Sequence, residues 1–243
     1  MNLLIDIGNS SIKYQEGAHD KVKSCPHKDF LNNLDQIISK EIVCVFICSV
    51  GPKYIEEQLV EFLRNRSISY KIIKVKSSYL GLTIDSDYQK SIGADRWVLM
   101  LACWQRLKRS FIVIDFGTTI TLDFVDGDGK HNGGMIFPGE FLLRDAIFRN
   151  TQIKKIENLE YKFYSGLNLS KSTRDALRYL PSQMILPSIN HATNAIRESH
   201  PEVEIYLSGK VDVSARAAFG DQYHYVPNLI FDGLSLIADC GLN

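Results

Sequence analysis

The pattern of apolar and polar positions divides the chain into two stretches that begin alike. The first opens with an apolar run at residues 3–5, which leads into the loop Asp6–Tyr14. The second opens with an apolar run at residues 111–114, which leads into the loop Asp115–Asp123. Short apolar runs bounded by turn residues are typical of buried strands. We therefore expect each loop to follow the end of a buried strand, and two similar loops predict two copies of one fold.

The rest of the first stretch alternates strand and helix patterns. Apolar residues at Ile55, Leu59, Phe62 and Leu63 recur at helical spacing, which predicts a helix at 53–66. The other predicted elements are a strand at 11–15, a polar turn region at 16–28, a weakly amphipathic segment at 30–39, strands at 42–50 and 71–75, a polar loop at 77–92 and an apolar helix from Gly93 to about Leu107. This order predicts an α/β fold with a mixed sheet.

The second stretch starts after the short polar segment Lys108–Ser110, so we place domains at 1–109 and 110–243. Asp126–Gly129 is a strong hairpin signal. The other predicted elements are an apolar run between the glycines of Gly133–Gly139, an amphipathic segment at 141–148, an irregular region at 150–171, helices at 173–180 and 184–199 separated near Pro181, a strand at 204–207 and a closing helix at 228–238.

Charge and composition narrow the classes of partner. The chain of 243 residues carries 28 basic and 28 acidic residues, so no net field recruits nucleic acid or an anionic membrane. No apolar run approaches the roughly 20 residues that a membrane span needs, and the N-terminus enters a strand pattern without a basic leader. We expect a cytoplasmic protein with a small-molecule partner.

The five cysteines are too few and too scattered for a disulfide framework. Cys44 and Cys48 have a spacing that a metal pair can have, but they lie in an apolar run that reads as a buried strand. Because no histidine or further cysteine lies close in sequence, we interpret both as structural residues rather than zinc ligands.

The two similar loops are candidates for binding phosphate. A glycine in each lets the backbone approach a ligand, and small hydroxyl and amide residues add donors without bulk. Asp6 and Asp115 at the strand ends are placed to hold the cations of a polyphosphate, and Lys13 can supply a point charge. The alternatives are two ordinary hairpins, a solvated Lys13, and Thr118 and its neighbour acting only as turn residues.

A second candidate site is Gly93–Arg96, where the apolar helix begins. Asp95 is interpreted either as a helix N-cap or as a general base that accepts a hydroxyl proton in phosphoryl transfer. Arg96 can fork onto a carboxylate or phosphate, although arginine beside a helix start is common on surfaces.

Five motifs in order resemble one family, the type III pantothenate kinases. The motifs are Asp6-x-Gly-Asn-Ser-x-x-Lys13, Gly93-x-Asp-Arg96, Asp115-x-Gly-Thr-x-x-Thr-x-Asp123, Gly133-Gly-x-Ile-x-Pro-Gly139 and Pro227-Asn-Leu-x-x-x-Gly-Leu234. Each motif alone is weak, and together they span nearly the whole chain. The resemblance implies an actin-like ATPase fold of two ribonuclease-H-like domains, with mixed sheets and an internal duplication.

The resemblance also implies a function and roles for individual residues. The function is ATP-dependent phosphorylation of pantothenate to 4'-phosphopantothenate, with Asp95 as the base and an obligate homodimer as the assembly. The implied residues are Asp6, Gly8, Asn9, Ser10, Ser11, Lys13, Thr118 and Gly209 for ATP; Tyr88, Gly93, Ala94, Asp95, Arg96 and Thr173 for pantothenate, with Thr173 reaching across the dimer interface; Asp6 for magnesium through water; and Asp115 for a monovalent cation, potassium or ammonium.

Three positions differ from the family pattern. Lys210 follows Gly209 where the family usually has a second glycine. Leu180–Pro181 stands where the helix after Thr173 normally reaches a glycine. Tyr88, the candidate for a tyrosine that contacts substrate, lies nearer to the next motif than is usual. The remaining alternatives are a kinase or phosphatase of the same superfamily with another substrate, and a nucleotide-binding regulator without turnover.

Overall fold

The computed structural model describes residues 1–17, 20–156, 159, 167, 169–220 and 222–241, the side chains at 214 and 218 excepted. The chain divides into two compact units. Unit 1 comprises Met1–Arg106 and Asn228–Asn243, and unit 2 comprises Leu107–Pro227. The division falls close to the boundary predicted after residue 109, but the C-terminal segment lies in unit 1 rather than in the second domain predicted at 110–243.

The strands and helices follow one another in two similar series. The strands are β1 (Asn2–Ile7), β2 (Ile12–Glu16), β3 (Lys23–Cys25), β4 (Cys44–Ser49), β5 (Ser69–Ile72), β6 (Ser78–Tyr79), β7 (Leu82–Thr83), β8 (Phe111–Phe116), β9 (Thr119–Val125), β10 (His131–Pro138), β11 (Glu204–Gly209) and β12 (His224–Tyr225). The helices are α1 (His27–Asn32), α2 (Leu34–Ile37), α3 (Lys53–Asn65), α4 (Ala94–Leu107), α5 (Glu140–Asn150), α6 (Thr173–Ser199), α7 (Val213–Phe219) and α8 (Leu229–Cys240). None of these helices, as far as the described residues reach, is long and apolar enough to cross a membrane.

Each unit contains one five-stranded mixed sheet, and the two sheets have the same topology. The strand order is β3-β2-β1-β4-β5 in unit 1 and β10-β9-β8-β11-β12 in unit 2. In both sheets the first three strands of the unit pair antiparallel, and the fourth pairs parallel with the first and with the fifth. The predicted duplication and the α/β class with mixed sheets are therefore confirmed.

Each unit is stabilised by an apolar core of its own. In unit 1, alternate residues of β1 and β4 pack with Ile55, Leu59 and Leu63 of α3, which are fully buried as their helical spacing predicts. Helix α8 contacts β1 and β4. A Cβ at Gly233 of α8 would lie 2.5 Å from the backbone oxygen of Val98, so this glycine permits close packing on α4. In unit 2, α6 and α7 cover one face of the sheet.

The predicted break between helices at 173–180 and 184–199 is wrong, because α6 is one helix of 27 residues that contains Pro181 and Pro187. An internal proline removes one helical hydrogen bond. Each proline is followed by a serine whose hydroxyl donates to a carbonyl of the preceding turn, Ser182 to Tyr179 O and Ser188 to Met184 O. Ile185, Leu186, Ile189 and Ala192 of α6 pack into the core of unit 2 on both sides of Pro187, and this packing keeps the helix continuous.

Several short elements were not predicted. Strand β3 lies inside the predicted turn region at 16–28, and α7 and β12 follow β11 without a strong periodic signal. The segment at 30–39 is divided between α1 and α2. The predicted irregular region at 150–171 lies largely outside the described residues.

Candidate active site

The first loop is a tight turn that joins β1 to β2. The N–H of Gly8 donates to the carbonyl oxygen of Ser11 over 3.1 Å. Asn9 and Ser10 at the tip are exposed. The loop thus closes an antiparallel hairpin, which is the alternative interpretation given for the motif. It also presents small polar residues at its tip.

Two residues outside the motif hold this loop, and sequence reasoning did not find them. His27, the first residue of α1, has its Nε2 2.9 Å from the carbonyl oxygen of Gly8. Gly51 follows β4, and a Cβ there would lie only 2.5 Å from the same oxygen. The N–H of Gly51 also donates to Ile7 O over 2.9 Å. The sequence offered one signal for Gly51, because a glycine just after a strand indicates close approach of the backbone to a neighbour. No feature of the sequence indicated a role for His27.

Asp6, Lys13 and Cys48 lie side by side on one face of the sheet of unit 1. Asp6 is directly opposite Lys13 in the antiparallel pair and beside Cys48 in the parallel pair, and directly paired residues point to the same face. Asp6 is 8% exposed and Cys48 is fully buried. The loop aspartate and lysine are therefore neighbours at the end of the strand pair.

Asp95 lies in the first turn of α4, with its carboxylate folded back over the preceding residues. Its Oδ1 accepts a hydrogen bond from the N–H of Arg96 over 2.8 Å. A Cβ at Gly93 would lie 2.3 Å from that oxygen. The helix begins at Ala94, so Asp95 is one residue inside it and is not the N-cap, although its carboxylate does hold one helical N–H.

The charges of Asp6 and Asp95 both act on the buried thiol of Cys48. Burial raises the pKa of Cys48 well above its usual range, and the carboxylates of Asp6 and Asp95 raise it further. Geometry places the two motifs near each other: the N–H of Val50 donates to Ile7 O over 3.0 Å, and Val50 Cγ1 lies 3.5 Å from the Cβ position of Gly93.

Arg96 and Tyr88 form a second part of this cluster. Arg96 is only 6% exposed, so the interpretation of a surface arginine is wrong. Its guanidinium carbon lies 5.9 Å from the centre of the Tyr88 ring, a distance at which a cation and an aromatic ring attract. Tyr88, on a single 3₁₀ turn at Tyr88–Lys90, therefore lies beside the Gly93–Arg96 motif.

The second loop, in unit 2, is shorter than the first. Gly117 donates its N–H to Thr119 O over 3.0 Å and closes the hairpin between β8 and β9. The N–H of Gly139 donates to Thr118 O over 3.1 Å. A Cβ at Gly139 would lie 2.5 Å from that oxygen, so the glycine that ends the fourth motif permits the backbone to pack directly on the loop.

Gly209 completes the surroundings of Asp115. It has φ +78°, a conformation that favours glycine, and a Cβ there would lie 2.3 Å from Phe116 O and 2.8 Å from Asp115 Oδ1. The hydroxyl of Tyr225 donates to Gly209 O over 3.0 Å. The N–H of Lys210 donates to Phe116 O over 2.9 Å. This turn therefore forms with lysine in the position where the family usually has a second glycine.

Thr173 is exposed at the first residue of α6, where the hydroxyl of Ser172 caps the helix by accepting the Asp175 N–H over 3.1 Å. It makes no side-chain contact with Asp115, Thr118 or Gly209 among the hydrogen bonds of the described residues. A pocket of about 570 Å³ also lies in unit 2, and it borders the predicted site through Tyr225, which donates to Gly209 O. Its lining residues are Leu207, Val213, Arg216, Ala217, Gly220, Tyr223 and Tyr225.

Metal ligation by cysteine or histidine has no structural basis in the described part of the chain. No group of three or more His, Cys, Asp or Glu residues there could hold a metal ion. Cys44 and Cys48 lie in β4 as free cysteines, in the strand predicted for them.

Comparisons with known proteins agree with the motifs. The family model for type III pantothenate kinase matches residues 2–180. A type III pantothenate kinase from Teredinibacter turnerae is 30% identical over 248 residues, which cover 98% of each chain, and one from Marinobacter nauticus is 28% identical over 257 residues, which cover 100% of each.

Two solved structures share the fold. A protein from Campylobacter jejuni described as a Baf family transcriptional activator has a TM-score of 0.65 at 24% identity, covering 98% of this chain and 97% of that one. A 2-dehydro-3-deoxygalactonokinase from Sinorhizobium meliloti has a TM-score of 0.64 at 15% identity, covering 99% of each chain. With the family model matched over most of its length, the chain belongs to the type III pantothenate kinase family.

Proposed function

We propose that this protein transfers the γ-phosphate of ATP to pantothenate, giving 4'-phosphopantothenate in the first step of coenzyme A biosynthesis. The observation that carries the proposal is the position of Val50, whose N–H donates to Ile7 O, next to Asp6, over 3.0 Å. Its Cγ1 lies 3.5 Å from the Cβ position of Gly93, which is itself 2.3 Å from Asp95 Oδ1. The end of the strand that carries Asp6 thus lies close to the candidate base. Phosphoryl transfer to an alcohol needs both functions within a short distance.

In the proposed reaction, Asp95 orients the pantothenate hydroxyl and accepts its proton. The hydroxyl oxygen forms a bond to the γ-phosphorus, the bond from that phosphorus to the bridging oxygen breaks, and ADP leaves with the electron pair. Asp95 is half-buried and accepts a hydrogen bond from the Arg96 N–H. This bond fixes the carboxylate before substrate binds, so catalysis would arise mainly from positioning and electrostatics.

The two loops would hold the ATP phosphates. The tip of the first loop offers small polar side chains and backbone N–H groups, and Lys13 lies next to Asp6 on the sheet face. In unit 2 the backbone is packed so tightly that only glycine fits at Gly139 and Gly209. The proposed ATP-binding residues are Asp6, Gly8, Asn9, Ser10, Ser11, Lys13, Thr118 and Gly209.

Pantothenate would lie against Gly93–Arg96. Its carboxylate requires a cation, and Arg96 is a buried arginine whose guanidinium stands over the Tyr88 ring. A guanidinium held in this way can bind a carboxylate through two parallel hydrogen bonds. We assign Tyr88, Gly93, Ala94 and Arg96 to substrate binding.

The cations that a kinase of this family would use fit the oxygen atoms near the two aspartates. Magnesium commonly keeps several waters and takes few protein ligands, which suits contact with Asp6 through water. Phe116 O and Asp115 Oδ1 both lie beside Gly209, and oxygen atoms of this kind are the ligands that potassium or ammonium would take. Such cations would neutralise phosphate charge during transfer.

The proposed homodimer is supported by apolar surface on unit 2. Helix α5 has no buried residue although half of it is apolar, and Phe141 is 61% exposed. The edge strand β10 exposes Met135 and Ile136, at 48% and 63%. Exposed apolar patches beside an unpaired strand edge mark surfaces that another chain covers. We assign Thr173, which is exposed at the start of α6, to the contact with pantothenate across the dimer interface.

A coupled kinase assay tests the proposed function. ATP consumption that depends on pantothenate, and that falls when potassium and ammonium are removed, is the expected result. Consumption that depends instead on a sugar or acetate would assign another kinase activity. ATP binding without any turnover would assign a nucleotide-binding regulator. Sedimentation of the purified protein as a monomer at assay concentrations would contradict the dimer.

A further inference from the structure

The first loop is contacted at one carbonyl oxygen, that of Gly8. The geometry of the peptide bond determines how this contact orients the N–H of the next residue. The peptide that joins Gly8 to Asn9 is planar and trans, as no cis bond occurs in the described chain. In such a peptide the C=O and the following N–H point in opposite directions. Any contact that fixes the direction of Gly8 O therefore fixes the Asn9 N–H on the other side.

His27 supplies this contact. Its Nε2 lies 2.9 Å from Gly8 O, and a carbonyl oxygen only accepts hydrogen bonds. The ring must therefore carry a proton on Nε2 and donate it. The Asn9 N–H has no hydrogen-bond partner within the described chain, and Asn9 is exposed. One side of the peptide is thus tied down while the other is available to a ligand.

The histidine is well anchored for this task. It follows Pro26, whose ring restricts the backbone at the start of α1. Phe30, one turn later, is fully buried in the core of unit 1. From the β4 side, Gly51 lies so close to Gly8 O that no side chain fits between them. The missing side chain at Gly51 therefore leaves room for Gly8 O, and the hydrogen bond from His27 sets the direction of that carbonyl group.

We propose that His27 is a positioning residue, which turns the Asn9 N–H outward as a preformed donor for an ATP phosphate oxygen. The proposal rests on the proposed function, because it assumes that the first loop binds ATP. Backbone N–H groups that are already aimed at a phosphate need no reorganisation when ATP binds. Losing the His27 bond should weaken ATP binding without affecting pantothenate.

Steady-state kinetics of loop variants test the proposal. His27→Ala should raise the KM for ATP about two- to tenfold, the range expected for one hydrogen bond, while the KM for pantothenate stays at the wild-type value. His27→Gln, whose amide donates from nearly the same position as Nε2, should restore the wild-type KM for ATP. Lys28→Ala, at the exposed neighbouring position of α1, is the matched control and should behave as wild type.

Lys13→Ala separates this proposal from the proposed function. If Lys13→Ala raises the KM for ATP and His27→Ala does not, the loop binds ATP and the role of His27 is overturned. If neither variant changes it, the assignment of ATP to this loop fails. Should His27→Ala not fold, His27→Leu replaces it, since leucine keeps most of the volume without a donor. A wild-type KM for ATP in His27→Leu, or a raised one in His27→Gln, also overturns the proposal.

Discussion

Replacing Gly93 by alanine tests whether the carboxylate of Asp95 must stay where the structure has it. A Cβ at this position would lie 2.3 Å from Asp95 Oδ1, whereas ordinary contact begins at 3.4 Å. The carboxylate must therefore move by the difference, 3.4 − 2.3 = 1.1 Å. The other atoms near this Cβ position, Asp95 Cγ and Val50 Cγ1, both lie at 3.5 Å, which is ordinary contact. The clash falls on the end of a flexible side chain and not on the backbone.

This geometry predicts a loss of activity without a loss of fold. Rotating the carboxylate breaks its bond from the Arg96 N–H and moves the base away from the substrate hydroxyl. A displacement of about 1 Å at a reacting group can cost about a hundredfold in rate. The cost in stability should stay near that of a strained rotamer, about 0.5–1.5 kcal/mol.

The assay measures kcat and the thermal unfolding midpoint for Gly93→Ala and for a control. Gly127→Ala is the matched control, since nothing lies within 4 Å of its Cβ position. It should leave both quantities near wild type. A Gly93→Ala enzyme that keeps wild-type kcat would refute the reasoning, because the displaced carboxylate would then not be needed.

Three further outcomes are expected. Gly139→Ala should raise the KM for ATP and lower the unfolding midpoint in a thermal melt, because its Cβ meets the backbone oxygen of Thr118 at 2.5 Å and the loop must shift. Tyr225→Phe should lower the free energy of unfolding in urea by about 1 kcal/mol, the usual contribution of the lost hydrogen bond to Gly209 O. Cys48 should resist iodoacetamide in the folded protein and react after unfolding, because burial raises the pKa of its thiol and keeps it protonated; peptide mass spectrometry of alkylated sites checks this.

The sequence was sufficient to predict the duplicated fold because its main signals are local. Each loop directly follows a buried apolar strand, and the helical spacing of Ile55, Leu59 and Leu63 lies within one element. The break near Pro181 was predicted wrongly for a physical reason. Proline disfavours a helix locally, but the packing of α6 against the core of unit 2 outweighs that cost.

Contacts between distant parts of the chain could not be predicted from the motifs alone. His27 reaches Gly8 across 19 residues and has no special neighbour in sequence. The burial of Arg96 depends on surrounding elements rather than on its own motif. The grouping of α8 with unit 1 follows from its contacts with β1 and β4, which join the two ends of the chain.

The kinetics of Asp95→Asn test the central claim most directly, since asparagine keeps the size of aspartate and cannot accept the hydroxyl proton. The account predicts a fall in kcat of at least about a hundredfold, with the KM for ATP near wild type and the protein folded by circular dichroism. Turnover of pantothenate that is unchanged in Asp95→Asn would contradict the account.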